Sequence, residues 1–105
     1  MSVIHVTKEN FEKAINITDK IIVIDFFATW CGPCKTLAPV VEKAAEELTD
    51  VVFYKVDIDE EMELAQRYQI MSVPTLLFLK NGEVVNKSVG AIPMEQLKDI
   101  IASIA

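Results

Sequence analysis

The 105-residue chain has few of the residues that form loops, cross-links or metal sites: three glycines, four prolines, two cysteines and one histidine. So little glycine and proline, beside 51% hydrophobic residues, indicates a folded chain with ample core material. The length predicts one domain over residues 1–105. With His5 as the only histidine, Cys and His together cannot supply the four ligands of a structural zinc site within one chain.

Positive charge is also scarce, because 10 basic residues face 16 acidic ones and the formal net charge is −6. No cluster of Lys and Arg offers a phosphate-binding surface, which argues against nucleic acid as a partner. No segment reaches the ~18 uninterrupted apolar residues of a membrane span. Charged residues between Lys8 and Lys13 stand where a secretory signal would be apolar. We therefore expect a monomeric, cytoplasmic protein with no membrane partner.

Hydrophobic patterning predicts alternating strands and helices. The predicted strands are 3–6, 21–28, 51–56, 74–79 and 83–85, with helices starting at Thr7, after Cys34, near Glu61 and at Pro93. Residues 21–28 are apolar apart from Asp25, which is typical of a central strand buried on both faces. Strand, helix and strand in succession predict a right-handed βαβ unit, and Asn81-Gly82 favours an antiparallel hairpin. The fold class is therefore α/β, with three layers and a mixed sheet.

Both cysteines lie in Trp30–Lys35, between the predicted central strand and the next helix. We expect Cys31 at the amino end of that helix, where free backbone N–H groups and the helix dipole stabilise a thiolate. Cys34 follows one turn later on the same face. From there it can attack a mixed disulfide formed at Cys31. The pattern favours reversible thiol–disulfide exchange, with Cys31 exposed and Cys34 shielded.

Other interpretations stay open at this point. CxxC spacing is also common in metal sites, and a metal or iron–sulfur centre shared between subunits would use the same two cysteines. Burying the Asp25 carboxyl in an apolar strand costs free energy unless it has a partner or a functional role. A structural hydrogen bond would be such a partner. Lys55 is either an exposed strand residue or a cation near Asp25. We expect His5 at a surface or sheet edge and Met71 in packing.

The chain resembles the thioredoxin family over its whole length. The matching motifs are Asp25–Lys35 with Pro39, Ser72–Thr75, Lys80–Gly82 and Val89–Ala91. The resemblance implies a thioredoxin fold, in which four helices flank a five-stranded sheet of order 1-3-2-4-5, and a cis peptide before Pro74. It also implies a protein-disulfide reductase that binds no cofactor itself. A thioredoxin reductase would recharge it, using NADPH and flavin.

The resemblance further implies a set of site residues. Cys31 and Cys34 would form the redox disulfide, Asp25 would be a buried proton acceptor and Lys55 its neighbouring cation. The residues implied to bind substrate are Trp30, Gly32, Pro33, Val73, Pro74, Gly90 and Ala91.

Two departures from the family pattern bear on partner choice and spectroscopic behaviour, because neither removes a reacting group. Phe27 stands where many members have a second tryptophan, and Ser72 replaces a frequent glycine.

Three functions remain compatible with these residues. The favoured one is a disulfide reductase acting on protein substrates. A binding module that clamps a partner without redox chemistry would use the same apolar surface, and an oxidase or isomerase would use the same fold. The Gly32-Pro33 dipeptide between the cysteines resembles the reductase type.

Overall fold

The computed structural model describes residues 3–17 and 19–105, and predictions that involve residues 1, 2 and 18 lie outside them. These residues form five strands and four helices. The strands are β1 (Val3–His5), β2 (Ile21–Phe27), β3 (Val52–Asp57), β4 (Thr75–Lys80) and β5 (Glu83–Val89). The helices are α1 (Lys8–Ile15), α2 (Gly32–Glu47), α3 (Met62–Arg67) and α4 (Met94–Ile104).

The five strands form one mixed sheet of order β1-β3-β2-β4-β5. β3 pairs in parallel with both β1 and β2, whereas β4 is antiparallel to β2 and β5. The parallel pairs are connected through α1 and α2, because parallel neighbours need a crossover connection. The predicted fold class and strand order are confirmed.

Strand β2 lies at the centre of the sheet, between β3 and β4. Its residues alternate between two cores. Ile21 and Val23 face a core with Leu37 and Val41 of α2 and with α4. Ile22, Ile24 and Phe26 face the opposite core, which contains side chains of α1 and α3. By this alternation Asp25 lies on the α2 side of the sheet.

Local signals set the ends of several elements. The Thr7 N–H donates to Oδ1 of Asn10 at 3.0 Å, and Thr7 is the N-cap of α1 as predicted. Asn81 and Gly82 both have positive φ, 55° and 82°, as a type I′ hairpin turn requires. Pro93 is the N-cap of α4 rather than its first helical residue.

Strand β5 runs to Val89, four residues beyond the prediction. A β-bulge near Phe78 and Leu79 of β4 shifts the register, so that Leu79 pairs with Val84 and Phe78 with Asn86. Because β5 is the exposed edge of the sheet, most of its residues after the bulge are polar. A hydrophobicity pattern therefore does not indicate this part of the strand. This extension brings Val89 and Gly90 back to the start of β4, beside the cysteine segment.

Candidate redox site

The cysteine pair lies where the chain passes from β2 into α2. Cys31 is the N-cap of α2, and its Sγ accepts a hydrogen bond from the Cys34 N–H at 3.1 Å. A side-chain acceptor at this position satisfies one of the free N–H groups that every helix leaves at its amino end. Pro33 fits the first turn because its missing N–H would have no helical partner.

The two sulfur atoms are joined in a disulfide, with 5.2 Å between the Cα atoms. In this oxidised form Cys31 is 4% exposed and Cys34 is 3% exposed. The expectation of an exposed Cys31 beside a shielded Cys34 is therefore wrong for the oxidised protein. The Val73 carbonyl oxygen lies 3.6 Å from Cys31 Sγ.

The two cysteines nevertheless face different surroundings. Cys31 lies next to exposed Trp30 and against the backbone of Val73. Cys34 instead lines a cavity of about 310 Å³. The cavity is also lined by Asp25, Phe27, Ala28, Thr29, Lys35, Ala38 and Lys55. The pair therefore separates a surface that an incoming protein can reach from a cavity that holds ionisable groups.

Asp25 is 5% exposed, and among residues 3–17 and 19–105 its Oδ1 has no hydrogen-bond partner. Burial raises the pKa of its carboxyl to about 7, and the opposite charge of Lys55 moderates that rise. The register explains the neighbour, since Asp25 is paired with Lys55 across β2 and β3. A carboxyl with a pKa near neutral can both accept and return a proton near pH 7.

Predicted substrate-binding residues from distant parts of the chain meet near Cys31. The peptide bond between Val73 and Pro74 is cis, as the resemblance implied. The Gly90 N–H donates to the Pro74 carbonyl at 2.8 Å and fixes the end of β5 against this bond. Gly90 has a φ of 96°, a conformation that favours glycine. Ala91 is exposed and follows it in the chain.

The remaining predicted patch residues flank Cys31 on the helix side. Trp30, Gly32 and Pro33 are all exposed, whereas Pro74 is buried and Val73 is half-buried. Met71, expected in packing, is 91% exposed, so that expectation is wrong. The loop before the cis bond carries its side chain outward beside Ser72.

Sequence reasoning missed two residues that position this surface. The Trp30 indole N–H donates to Oδ2 of Asp59 at 2.8 Å, and Asp57 Oδ1 accepts from the Asp59 N–H at 2.9 Å. Asp57 is the last residue of β3 and Asp59 follows it. The carboxyl end of β3 lies beside that of β2, because the two strands are parallel. Polar residues just beyond parallel strands are a general signal for a site, and this signal was available in the sequence.

In residues 3–17 and 19–105, no group of three or more His, Cys, Asp or Glu side chains could hold a metal ion. None of the helices in that part of the chain is long and apolar enough to cross a membrane.

Comparison with known proteins identifies the family. The family model described as Thioredoxin matches residues 2–103. The chain is 50% identical to Thioredoxin-2 of Saccharomyces cerevisiae over 93 residues, covering 89% of this chain and 88% of the yeast protein. It is 42% identical to the thioredoxin of Bacillus subtilis over 102 residues, covering 96% of each chain. Thioredoxins are oxidoreductases that act on disulfides, and the paired Cys31 and Cys34 supply the dithiol this exchange needs. The chain therefore belongs to the thioredoxin family.

Proposed function

We propose that this chain, acting as one domain over residues 1–105, reduces protein disulfides with Cys31 as the attacking thiolate and Cys34 as the resolving thiol. The position of Cys31 as the N-cap of α2 carries the proposal. The Cys34 N–H points at Cys31 Sγ, and the positive end of the helix dipole lies there. Both lower the free energy of a thiolate relative to a thiol.

The reaction balances as two exchanges. The Cys31 thiolate attacks one sulfur of the substrate disulfide, a Cys31–substrate bond forms, and the first substrate thiolate leaves and takes up a proton. Cys34 then gives its proton to the Asp25 carboxylate and attacks Cys31 Sγ. The second substrate sulfur leaves as a thiolate and takes up a proton, which protonated Asp25 can return, and Cys31–Cys34 becomes the disulfide present in this structure. Two electrons have passed to the substrate.

Asp25 is suited to the second exchange by its place and its acidity. It lines the cavity that Cys34 also lines, and burial raises its pKa to about 7. Lys55 lines the same cavity, and its charge keeps the pKa of the Asp25 carboxyl from rising further. Asp25 would thus be the proton acceptor for Cys34, and Lys55 a positioning cation.

The substrate would dock on the apolar surface around Cys31. That surface comprises Trp30, Gly32, Pro33, Val73, Gly90 and Ala91, and the buried Pro74 adjoins it directly after Val73. The backbone carbonyl and N–H groups of Val73 would pair with an extended substrate chain, as in strand addition. A thioredoxin reductase would return the disulfide to the dithiol with electrons from NADPH through flavin, and neither cofactor would bind this chain. The acidic composition argues against nucleic-acid partners, and the proposal includes a monomeric, cytoplasmic protein without membrane partners.

Trapping with insulin as the substrate tests the roles of the two cysteines. Reduced Cys34→Ser should accumulate a covalent complex with insulin, because the first exchange proceeds and the second cannot. Cys31→Ser is the matched control and should form no such complex. The wild-type protein should turn over with dithiothreitol, or with NADPH and a thioredoxin reductase. Insulin reduction by the double Cys→Ser variant, or trapping by Cys31→Ser alone, would contradict the proposal.

A further inference from the structure

A groove leads away from Cys31 along the surface. Its first part has a volume of about 310 Å³ and is lined by Trp30, Ile58, Ile70, Met71, Ser72 and Val73. Val73 is the residue whose carbonyl oxygen lies 3.6 Å from Cys31 Sγ. A protein whose disulfide reaches Cys31 must therefore cover the near end of this groove.

The groove continues between α3 and β5. The second part, about 550 Å³, is lined by Ala65, Gln66, Gln69, Ile70, Met71 and Lys87. Ile70 and Met71 line both parts, so the two volumes lie next to each other on the surface. Met71, 91% exposed, forms the boundary between the two.

The chemistry of the groove changes along its length. Near Cys31 the lining is apolar except for Ser72, whereas the far part presents two amide side chains and the ammonium group of Lys87. Lys87 is the only ionisable residue that lines either part. Within residues 3–17 and 19–105, no carboxylate forms a salt bridge with it. A cation with no partner, in a chain of net charge −6, is available to an incoming anion.

The strand register indicates how long a substrate segment must be to extend from Cys31 to Lys87. Lys87 pairs with Leu77, which lies four residues after Val73 along the chain. At about 3.3 Å per extended residue, a substrate segment of roughly four residues connects Cys31 with Lys87.

We propose that this groove is an extended substrate site, and that Lys87 selects protein disulfides with an acidic side chain roughly four residues from the reacting cysteine. The inference rests on the function proposed above and adds a substrate class to it. The apolar part takes the residues next to the cystine, and Met71 adapts to their shapes because its thioether side chain is unbranched and flexible. The Lys87 ammonium then pairs with the acidic side chain at the rim.

The test uses three peptides that differ in one residue. Each carries the same disulfide, with Glu, Gln or Lys four positions from one cysteine, and a second set places the residue on the other side. The ratio of kcat/KM between peptides is measured for wild type, Lys87→Gln, Lys87→Glu and Lys20→Glu. Lys20 is the control because it precedes β2, at the opposite end of the sheet from Cys31, so its substitution changes the net charge equally.

Wild type should prefer Glu over Gln in one of the two sets by roughly threefold, the size of an exposed ion pair, and disfavour Lys. Lys87→Gln should remove the preference, Lys87→Glu should reverse it, and Lys20→Glu should keep the wild-type order. High salt should abolish the preference, because the Debye length falls to about 3 Å at 1 M.

Two results would overturn the inference. If wild type reduces the Gln peptides but shows no charge preference in either set, or if Lys87→Glu keeps the wild-type order, the groove does not select acidic substrates. If wild type reduces none of the peptides while its disulfide cycles normally with dithiothreitol, the proposed function fails together with the groove.

Discussion

Asp25 and Asp57 are both buried aspartates on neighbouring strands, with 5% and 6% exposure, yet their surroundings differ. Asp25 lies inside β2, where both flanking strands use the backbone N–H groups in sheet pairing, and its Oδ1 has no hydrogen-bond partner in the part of the chain that the structure describes. Asp57 ends β3, where the chain turns, and the Asp59 N–H is free to donate to its carboxylate. Burial alone therefore does not mark a reactive carboxylate. Inside a strand, the neighbouring backbone N–H groups are used in sheet pairing and cannot donate to a carboxylate. At the end of a strand, a backbone N–H of the following turn can donate to it.

The largest expected effect is that of Asp25→Asn in the oxidised protein. Burial raises the pKa of Asp25 from 3.8 to about 7, so ionisation costs the native state about 4 kcal/mol at pH 7. An amide carries no charge, but its own burial offsets part of the gain, and we expect a net stabilisation of about 2 to 3 kcal/mol. Insulin reduction should slow by roughly tenfold or more, because Cys34 loses its proton acceptor. Urea melts and reduction rates at pH 7 measure both.

The raised pKa of Asp25 also predicts how the stability difference between Asp25→Asn and wild type depends on pH. Below pH 3.8 the aspartate is protonated in both the folded and unfolded states, so the stability difference between variant and wild type contains no ionisation part. Between pH 3.8 and about 7 the unfolded chain ionises first, and the wild type loses stability relative to the variant. Above pH 7 the difference is constant. A difference that does not change between pH 3 and pH 8 would show that Asp25 is not desolvated.

Asp57→Ala should have the opposite effect on stability. It removes the acceptor of the Asp59 N–H, and we expect a loss of about 1 to 2 kcal/mol in urea melts. The pH dependence of insulin reduction should keep its wild-type midpoint, since Asp57 does not line the cavity beside Cys34. Asp57→Asn, which keeps an oxygen acceptor, is the matched control and should lose less. A shifted midpoint in Asp57→Ala would break the distinction between the two aspartates.

Most of this fold follows from local patterns. The apolar run that became β2, the Asn81-Gly82 turn and the N-cap Thr7 each carry their own signal in sequence. The placement of Cys31 at a helix start also follows, because strand and helix patterns meet there. What lies around the cysteines depends on segments far apart in the chain, and no local period reports such contacts.

Three features of the site show this limit. The cis bond before Pro74 came only from the family resemblance, since cis is ~5–6% of X–Pro bonds in folded proteins. Both cysteines are buried in the disulfide form, and Cys31 Sγ lies 3.6 Å from the carbonyl oxygen of Val73, a residue far along the chain. Met71 has an apolar side chain, yet the loop geometry before the cis bond leaves it exposed, and composition could not predict that.

Lys55→Met tests how strongly the charge of Lys55 affects the pKa of Asp25. Removing the cation takes away the attraction that moderates the burial effect, so the pKa of Asp25 should rise above its wild-type value. At pH 8, where Asp25 is mostly ionised, we expect a stability loss of about 0.5 kcal/mol, discounted because Lys55 is only half-buried. Carboxyl chemical shifts followed across pH measure the pKa directly.

The double variant Asp25→Asn with Lys55→Met is the control for this coupling. The effect of Lys55→Met at pH 8 should shrink when no carboxylate is present, and the double-mutant cycle isolates that pairwise part. An equal loss in both backgrounds would mean that Lys55 stabilises the fold through its packing and not through Asp25.

The smallest expected effect concerns Asp59, which connects Asp57 to the docking surface. Its Oδ2 accepts the indole N–H of Trp30, the only tryptophan in the chain, so fluorescence reports on this residue alone. Asp59→Ala should leave global stability within about 0.5 kcal/mol, because the hydrogen bond is exposed. Losing it frees an exposed indole, and Trp30 fluorescence anisotropy should fall. The KM for insulin should rise by roughly twofold, since an ordered docking residue costs less entropy to bind.

Asp59→Asn is the control, because its side-chain oxygen can still accept from the indole. It should keep the wild-type anisotropy and KM, whereas a pure charge effect would move both variants equally. Asp57→Ala supplies the link back to the comparison of the two buried aspartates. If Asp57 acts by holding Asp59, its removal should lower Trp30 anisotropy too, while Asp25→Asn should leave it unchanged. If Asp59→Ala and Asp57→Ala both keep the wild-type anisotropy, these two carboxylates do not order the docking surface.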